Sequence, residues 1–188
     1  MTWSRRRVLK SGGFLAGASA VGFLTLSARG EAAADSREAA AKRISLRNLH
    51  TAEYLDTEYC RDGAYVPGAL AAIEKLLRDY RTGERHPIDP TLMDYLYAVA
   101  LNIGVEPVFS VISGYRSPQT NELLRERSGG VASHSLHMQG RAIDVRLAGV
   151  ACADLAEHAQ DLTRGGVGYY RASDFVHLDT GAHRIWRG

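Results

Sequence analysis

The sequence predicts an α+β fold, in which helices and short strands pack as layers around one core. Two patterns predict it. Apolar residues recur at helical spacing in some segments, and short β-rich or alternating runs occur in others. The two kinds of segment are interspersed along the chain, with no internal repeat or low-complexity tract between them. Residues 35–188 are long enough for one domain with a core of its own.

Each predicted element has a local reason in the sequence. Pro67 and Pro90 open two helices, because proline suits the first helical turn, and Gly104 ends the second one. The first two strands surround a short turn and predict an N-terminal β-hairpin. The predicted strands are residues 44–49, 53–59, 107–112, 142–147, 167–170, 175–178 and 184–186. The predicted helices are residues 67–80, 90–103, 119–127 and 151–162.

The first 34 residues have the composition of a Tat-type secretion signal. Arg5, Arg6 and Arg7 precede an apolar run at residues 12–28, and three alanines follow at 32–34. This order is typical of a cleavable secretory signal, and the paired arginines indicate the Tat route. The apolar run is shorter than the roughly 20 residues that span a bilayer, although a retained N-terminal anchor is the alternative. We expect a periplasmic protein without stable membrane insertion after cleavage.

Charge and cysteine content limit the partners and the covalent structure. Removal of residues 1–34 takes away five basic residues and one acidic residue, so the formal net charge changes from +2 to −2. No basic excess is left to neutralise phosphates, and we expect no nucleic-acid partner. Cys60 and Cys152 are the two cysteines. They could pair in an exported protein, but buried free thiols are the preferred interpretation. We expect a monomer.

Three residues from separate segments form a candidate metal site. His137 and Asp144 lie on either side of Gly140, and His177 follows in an apolar segment. Two imidazoles and a carboxylate can bind a divalent metal and leave a coordination position free. Because Gly140 indicates a turn, we expect His137 on a loop and Asp144 on the inward face of the next strand. Considered singly, each histidine is more simply a hydrogen-bonded core or surface residue, and His134 competes as a ligand.

Five separated motifs, taken together, resemble one enzyme family. The first, Ser135-x-His137-x-x-Gly140-x-Ala142-x-Asp144, is similar to the first metal motif of the M15 zinc peptidases, which share the D-Ala-D-Ala metallopeptidase and hedgehog-like fold. The whole set resembles the DUF882, YcbK-like branch of exported murein endopeptidases, from about residue 43 to the C-terminus. The other four motifs are Leu46-x-Asn48-x-His50-Thr51, Gly114-Tyr115-Arg116-Ser117, Gly165-Gly166-Val167-Gly168-Tyr169-Tyr170 and Asp174-Phe175-Val176-His177-x-Asp179-Thr180-Gly181.

The resemblance implies a fold and a set of metal ligands. The fold would be a small central, mostly antiparallel sheet flanked by helices, and residues 35–188 would be the zinc peptidase domain. His137, Asp144 and His177 would bind Zn²⁺. Three protein ligands leave Zn²⁺ an open position, at which the pKa of water falls to roughly 7.

The resemblance also implies roles for two further residues. Asp174 lies where better-known members of the group have a catalytic glutamate, and Arg116 matches an arginine over the substrate carbonyl. Aspartate is one methylene shorter than glutamate, so it would reach less far toward the water. Asp179 is therefore a second candidate base, or a hydrogen-bond partner of a ligand histidine. The alternative role of Arg116 is an ion pair that fixes its turn.

The function implied is hydrolysis of the peptide cross-links between stem peptides of peptidoglycan. A D,D-carboxypeptidase of the same fold and a non-catalytic murein-binding module are the alternatives. A non-haem iron oxygenase is a further rival, because His177-x-Asp179 has the form of part of a facial triad. That class normally places its second histidine well downstream in a β-barrel, whereas here only His183 follows and the sequence predicts several helices.

Overall fold

The computed structural model describes residues 41–128 and 131–188. The predicted secretion signal at residues 1–34 lies outside the described residues. Among the helices of the described ranges, none combines the length and the apolar character needed to cross a membrane.

A mixed eight-stranded sheet organises the described residues, and four helices and a short 3-10 turn accompany it. The strands are β1 (Lys42–Asn48), β2 (Tyr54–Arg61), β3 (Ala64–Tyr65), β4 (Val108–Ser113), β5 (Ala142–Leu147), β6 (Gly166–Tyr170), β7 (Phe175–Asp179) and β8 (Arg184–Arg187). The helices are α1 (Pro67–Leu76), α2 (Pro90–Ile103), α3 (Pro118–Ser128) and α4 (Cys152–Asp161), and the 3-10 turn is Leu136–Gln139.

The sheet confirms the predicted fold class. The strand order is β3-β2-β1-β4-β5-β7-β6-β8. Neighbouring strands are antiparallel except for the pairs β1–β4 and β6–β8. The predicted N-terminal hairpin is the β1–β2 pair. With eight strands the sheet is larger than the small one expected, and β3, which the sequence did not predict, extends one of its edges.

The two faces of the central strands have different roles. Ile143 and Val145 of β5 and Val176 and Leu178 of β7 are buried in the main hydrophobic core. Because side chains alternate across a strand, the intervening residues of both strands point to the opposite face. The core therefore fixes the backbone of the two strands whose other face carries polar side chains.

One helix ends earlier than predicted. The apolar spacing after Pro67 predicts a helix to Tyr80, but α1 ends at Leu76. Asn48 Nδ2 donates to the carbonyl of Leu76 at 3.0 Å, and the backbone N–H of Tyr115 donates to the carbonyl of Leu77 at 2.8 Å. These two groups satisfy the carbonyls at the helix end, and the chain turns toward the loop after β4.

The preferred interpretation of the cysteines is confirmed, since Cys60 and Cys152 are both free and buried. Cys60 lies in β2 and Cys152 begins α4.

Candidate metal centre

Pairing of β5 with β7 brings two of the predicted ligands together. Asp144 lies directly opposite His177 in this antiparallel pair. His137 lies in the 3-10 turn that precedes β5, at the position where a loop was expected. Gly140 ends this turn at φ +65°, and a Cβ there would lie 2.0 Å from the carbonyl oxygen of Pro87. Only glycine fits both the conformation and the space, so Gly140 fixes where His137 enters the site.

The side chains of His137, Asp144 and His177 converge on one point. His137 Nε2 is 3.2 Å from His177 Nδ1 and 3.3 Å from Asp144 Oδ1, and His177 Nδ1 is 2.9 Å from the same oxygen. All three residues are buried, with 2%, 6% and 9% of their surface exposed. Ligand atoms around a tetrahedral zinc ion, at roughly 2.0–2.1 Å from the metal, lie about 3.3 Å apart. The spacing of the three atoms matches that arrangement.

Hydrogen bonds orient both imidazoles toward this point. His137 Nδ1 lies 2.7 Å from the carbonyl oxygen of Gly114, and His177 Nε2 lies 3.0 Å from Asp179 Oδ2. Because a carbonyl and a carboxylate can only accept, those two nitrogens carry the hydrogens. Nε2 of His137 and Nδ1 of His177 are then the nitrogens left free to bind a metal ion. Metal-binding histidines are typically held by such a second hydrogen bond.

Asp179 supports His177 from behind. Its carboxylate is fully buried and accepts the backbone N–H groups of Gly166 at 3.0 Å and Gly181 at 2.8 Å. Arg184 adds two more bonds, at 2.6 Å and 3.1 Å. Burial alone would raise the pKa of Asp179, but His177 and these donors lower it below its usual range. With both oxygens occupied inside the protein, Asp179 is placed to orient His177 and not to reach a water in the cleft.

The charges of the cluster suit a buried cation. Burial raises the pKa of Asp144, but the two adjacent histidines hold it well below its ordinary value. Burial lowers the pKa of His137. Burial also lowers the pKa of His177, but the hydrogen bonds to Asp144 and Asp179 outweigh it and raise that pKa to about 9.

Arg116 lies beside the cluster. Its Nη2 atom is 3.7 Å from Asp144 Oδ2, and long hydrogen bonds of 3.4 and 3.5 Å join the guanidinium to Ser113 and Asn121. Its buried Nε atom has no hydrogen-bond partner in the part of the chain that the structure describes. Burial lowers the pKa of Arg116. This weakly satisfied cation, partly open to the cleft, is suited to receive a further acceptor.

A buried carboxylate that sequence analysis missed holds the turn of Arg116 in place. Asp79 accepts the backbone N–H of Ser117 at 2.9 Å and its hydroxyl at 2.6 Å, and it also accepts the backbone N–H of Arg81 at 2.9 Å. Asp79 is 2% exposed. Nothing in the local sequence distinguishes it from an ordinary polar residue at a helix end, because Ser117, the partner that gives it this role, is almost forty positions away.

The structure does not bring Asp174 into the cluster. Asp174 lies in the turn before β7 with φ +50°, and 68% of its side chain is exposed. Its Oδ2 atom is 3.5 Å from Nε of Arg146, and it is not among the residues that line the cleft over the three ligands.

His137, Asp144 and His177 open onto a cleft of about 550 Å³. Ser135 of the first motif and the neighbouring His134 both line it. Sequence analysis missed the far wall, which consists of Tyr170, Phe175, Arg184 and Trp186. Arg184 and Trp186 alternate on a predicted closing strand, so two-residue periodicity puts them on one face. That signal was available, but only the strand order shows that the face borders the metal ligands.

The fold and the cluster define a metallopeptidase-like hydrolase site, and comparison with known proteins gives the family. The family model Peptidase_M15_2, described as peptidoglycan L,D-endopeptidase MepK, matches residues 36–186. The probable peptidoglycan L,D-endopeptidase MepK of Haemophilus influenzae is 41% identical over 146 residues, which cover 77% of this chain and 78% of that protein. Peptidoglycan L,D-endopeptidase MepK of Escherichia coli K12 is 38% identical over 186 residues, 97% of each chain. The chain belongs to this M15 peptidase family, which confirms the resemblance to M15 murein endopeptidases.

Proposed function

We propose that this peptidoglycan endopeptidase depends on Zn²⁺ bound by His137, Asp144 and His177, and that it cuts a peptide bond between an L centre and a D centre. Membership of the M15 family supports a peptidase that acts on peptidoglycan. The relatives are named as L,D-endopeptidases, and we propose the same specificity for this chain.

The observation that carries the zinc proposal is the orientation of the two imidazoles. Each imidazole donates the N–H of one ring nitrogen to a fixed acceptor. The lone pairs of the two other ring nitrogens and one oxygen of Asp144 therefore face a common point. Two nitrogens and one oxygen are a ligand set for catalytic zinc. Zinc bound there would supply Lewis-acid chemistry, polarising a carbonyl and lowering the pKa of water to about 7.

Arg116 is proposed to stabilise the negative charge that develops on the substrate carbonyl oxygen. It is permanently charged, it lies beside Asp144, and its hydrogen bonds to Ser113 and Asn121 are long. Its donors are thus held near the cluster before substrate arrives, which is the requirement for electrostatic stabilisation. Asp79 keeps the supporting turn rigid.

Asp174 is proposed as the general base, with a condition that the geometry sets. Its carboxylate must leave Arg146 and turn toward the cleft when substrate binds, since it faces Arg146 in the free protein. Hydrogen bonds of catalytic groups are often long or poorly aligned before substrate binds. Asp179 is less suitable, because its oxygens are fully occupied. His134, which lines the cleft, is the second candidate.

The test is digestion of purified sacculi with zinc-loaded and chelator-treated protein, followed by mass analysis of the released muropeptides. We expect loss of cross-linked dimers with the zinc-loaded protein, and no change after chelation until zinc is restored. Products shortened by one terminal D-amino acid would indicate a carboxypeptidase instead. A zinc-loaded protein that binds sacculi without releasing products would indicate a murein-binding module.

Export through the Tat route is part of the proposal. Its support is the arginine group at residues 5–7 ahead of an apolar run. Replacement of the three arginines by lysine should retain the protein in the cytoplasm, whereas efficient export of that variant would contradict the Tat assignment.

A further inference from the structure

A second guanidinium lines the cleft, on the opposite side of the cluster from Arg116. Arg184 lies at the start of β8, and its carbon Cζ lies 5.0 Å from the centre of the Trp186 ring. Absent side chains make room for it: a Cβ at Gly166 would lie 2.8 Å from its Nη1 atom, and a Cβ at Gly181 would lie 3.0 Å away. The space left by these two glycines therefore holds the guanidinium next to the predicted metal ligands.

One edge of this guanidinium is occupied and the other is open. Nη1 and Nη2 donate to the two oxygens of Asp179, and Nη1 also donates to the carbonyl of Ala182. Nε and the second hydrogen of Nη2 have no hydrogen-bond partner among the described residues. These two N–H groups point the same way and form the side-on fork of arginine, which matches a carboxylate with two parallel hydrogen bonds.

The surroundings of this open edge favour an anion. Of the residues that line the cleft, Asp144 is the one with a carboxylate, and it belongs to the metal ligands. Trp186 and Tyr170, joined by a hydrogen bond from Nε1 to the phenol oxygen at 3.1 Å, form the apolar wall beside Arg184. A peptide segment with one free carboxylate and an aliphatic chain would find a complement to both parts here.

We propose that Arg184 binds a substrate carboxylate on the leaving-amine side of the cut bond. This inference rests on the proposed function. When the amine of the cut bond comes from the D centre of a diamino acid, the carbon that carries the scissile nitrogen also carries a free carboxylate. Arg116 beside Asp144 and Arg184 beside Asp179 would then hold the two sides of the bond, with the carbonyl oxygen at Arg116 and this carboxylate at Arg184.

The test compares two synthetic cross-linked muropeptides that differ only at this carboxylate, which is free in one and amidated in the other. With wild-type protein, kcat/KM should be roughly 10- to 100-fold higher for the free acid, the range expected for hydrogen bonds between charged groups. Arg184→Gln should lower kcat/KM for the free acid and bring the ratio close to one. Arg184→Lys keeps the charge without the fork and should give an intermediate ratio.

The matched control is Arg187→Gln, which removes an exposed arginine from the same strand outside the cleft. It should leave both rates and their ratio unchanged. The zinc content of each variant shows whether the metal site survives. A merely structural role of Arg184 would lower both rates by the same factor and leave their ratio unchanged. A wild type that cuts both muropeptides equally would overturn this inference alone. A wild type that cuts neither would contradict the proposed function itself.

Discussion

The two ends of β7 carry one aspartate each, and the two have opposite environments. Asp179, at the C-terminal end, is fully buried and accepts hydrogen bonds from His177, two backbone N–H groups and Arg184. Asp174, before the N-terminal end, is largely exposed and faces Arg146. Two aspartates five positions apart are therefore suited to different tasks: the buried one can only hold a neighbour in place, whereas the exposed one can change its partner.

Replacement of the exposed aspartate is expected to give the largest effect on rate. Asp174→Asn should lower kcat by about 10²–10⁴-fold with unchanged zinc affinity, because general-base catalysis contributes that much. Asparagine tolerates the positive φ at this turn. Asp62→Asn, at another exposed turn with φ +50°, is the matched control and should behave as wild type. Unchanged muropeptide release by Asp174→Asn would remove Asp174 from the mechanism and direct attention to His134.

Arg116 is expected to give the next largest effect. Arg116→Gln should lower kcat by roughly 10²–10³-fold, as is typical when one charge-stabilising donor is lost. Steady-state kinetics on a defined muropeptide dimer would measure it, with Arg125→Gln in the exposed part of α3 as control. If Arg116→Gln changed only the thermal stability, the arginine would be the ion-pairing residue of its turn.

The buried aspartate is expected to give a smaller effect of another kind. Asp179→Asn should weaken zinc binding by about 10- to 100-fold, because loss of an outer hydrogen-bond partner of a ligand histidine typically has that cost. At saturating zinc most of the activity should return. Zinc titration in parallel with kinetics would distinguish the role of Asp179 from that of Asp174. A variant whose rate stayed low at full zinc occupancy would place Asp179 in the proton transfer.

Replacement of Asp79 is expected to change the stability of the fold, and of the four replacements it should have the smallest effect on the catalytic rate. Burial raises its pKa, but hydrogen bonds from Ser117 and Thr120 outweigh burial and lower it to about 2. A carboxyl group whose pKa is depressed in the folded state stabilises the protein above its ordinary pKa near 3.8. That contribution is lost as the pH falls from about 4 toward 2.

Urea unfolding of wild type and Asp79→Asn at several pH values would check this. The variant should be less stable at pH 7, and its free energy of unfolding should depend less on pH between about 4 and 2. Parallel pH curves for the two proteins would mean that Asp79 does not titrate in this range.

The sequence was informative where function depends on short-range patterns. The turn at Gly140, the inward face of β5 and the position of His177 in a strand all follow from local periodicity, and the motifs that contain the three predicted ligands resemble one family. The predicted end of α1 was wrong, because Asn48 and Tyr115, from other parts of the chain, donate hydrogen bonds to the carbonyls at its end. The roles of Asp79, of the Gly114 carbonyl and of the far wall of the cleft were missed for a similar reason, since each depends on neighbours that only the folded sheet brings near.

The central claim is that His137, Asp144 and His177 hold one zinc ion, and metal analysis of the purified protein tests it most directly. We predict one zinc ion per chain after dialysis against buffered zinc, and none in His177→Ala, whose muropeptide release should fall to background. Stoichiometric zinc in His177→Ala, or full activity of the wild type with no metal bound, would contradict the account.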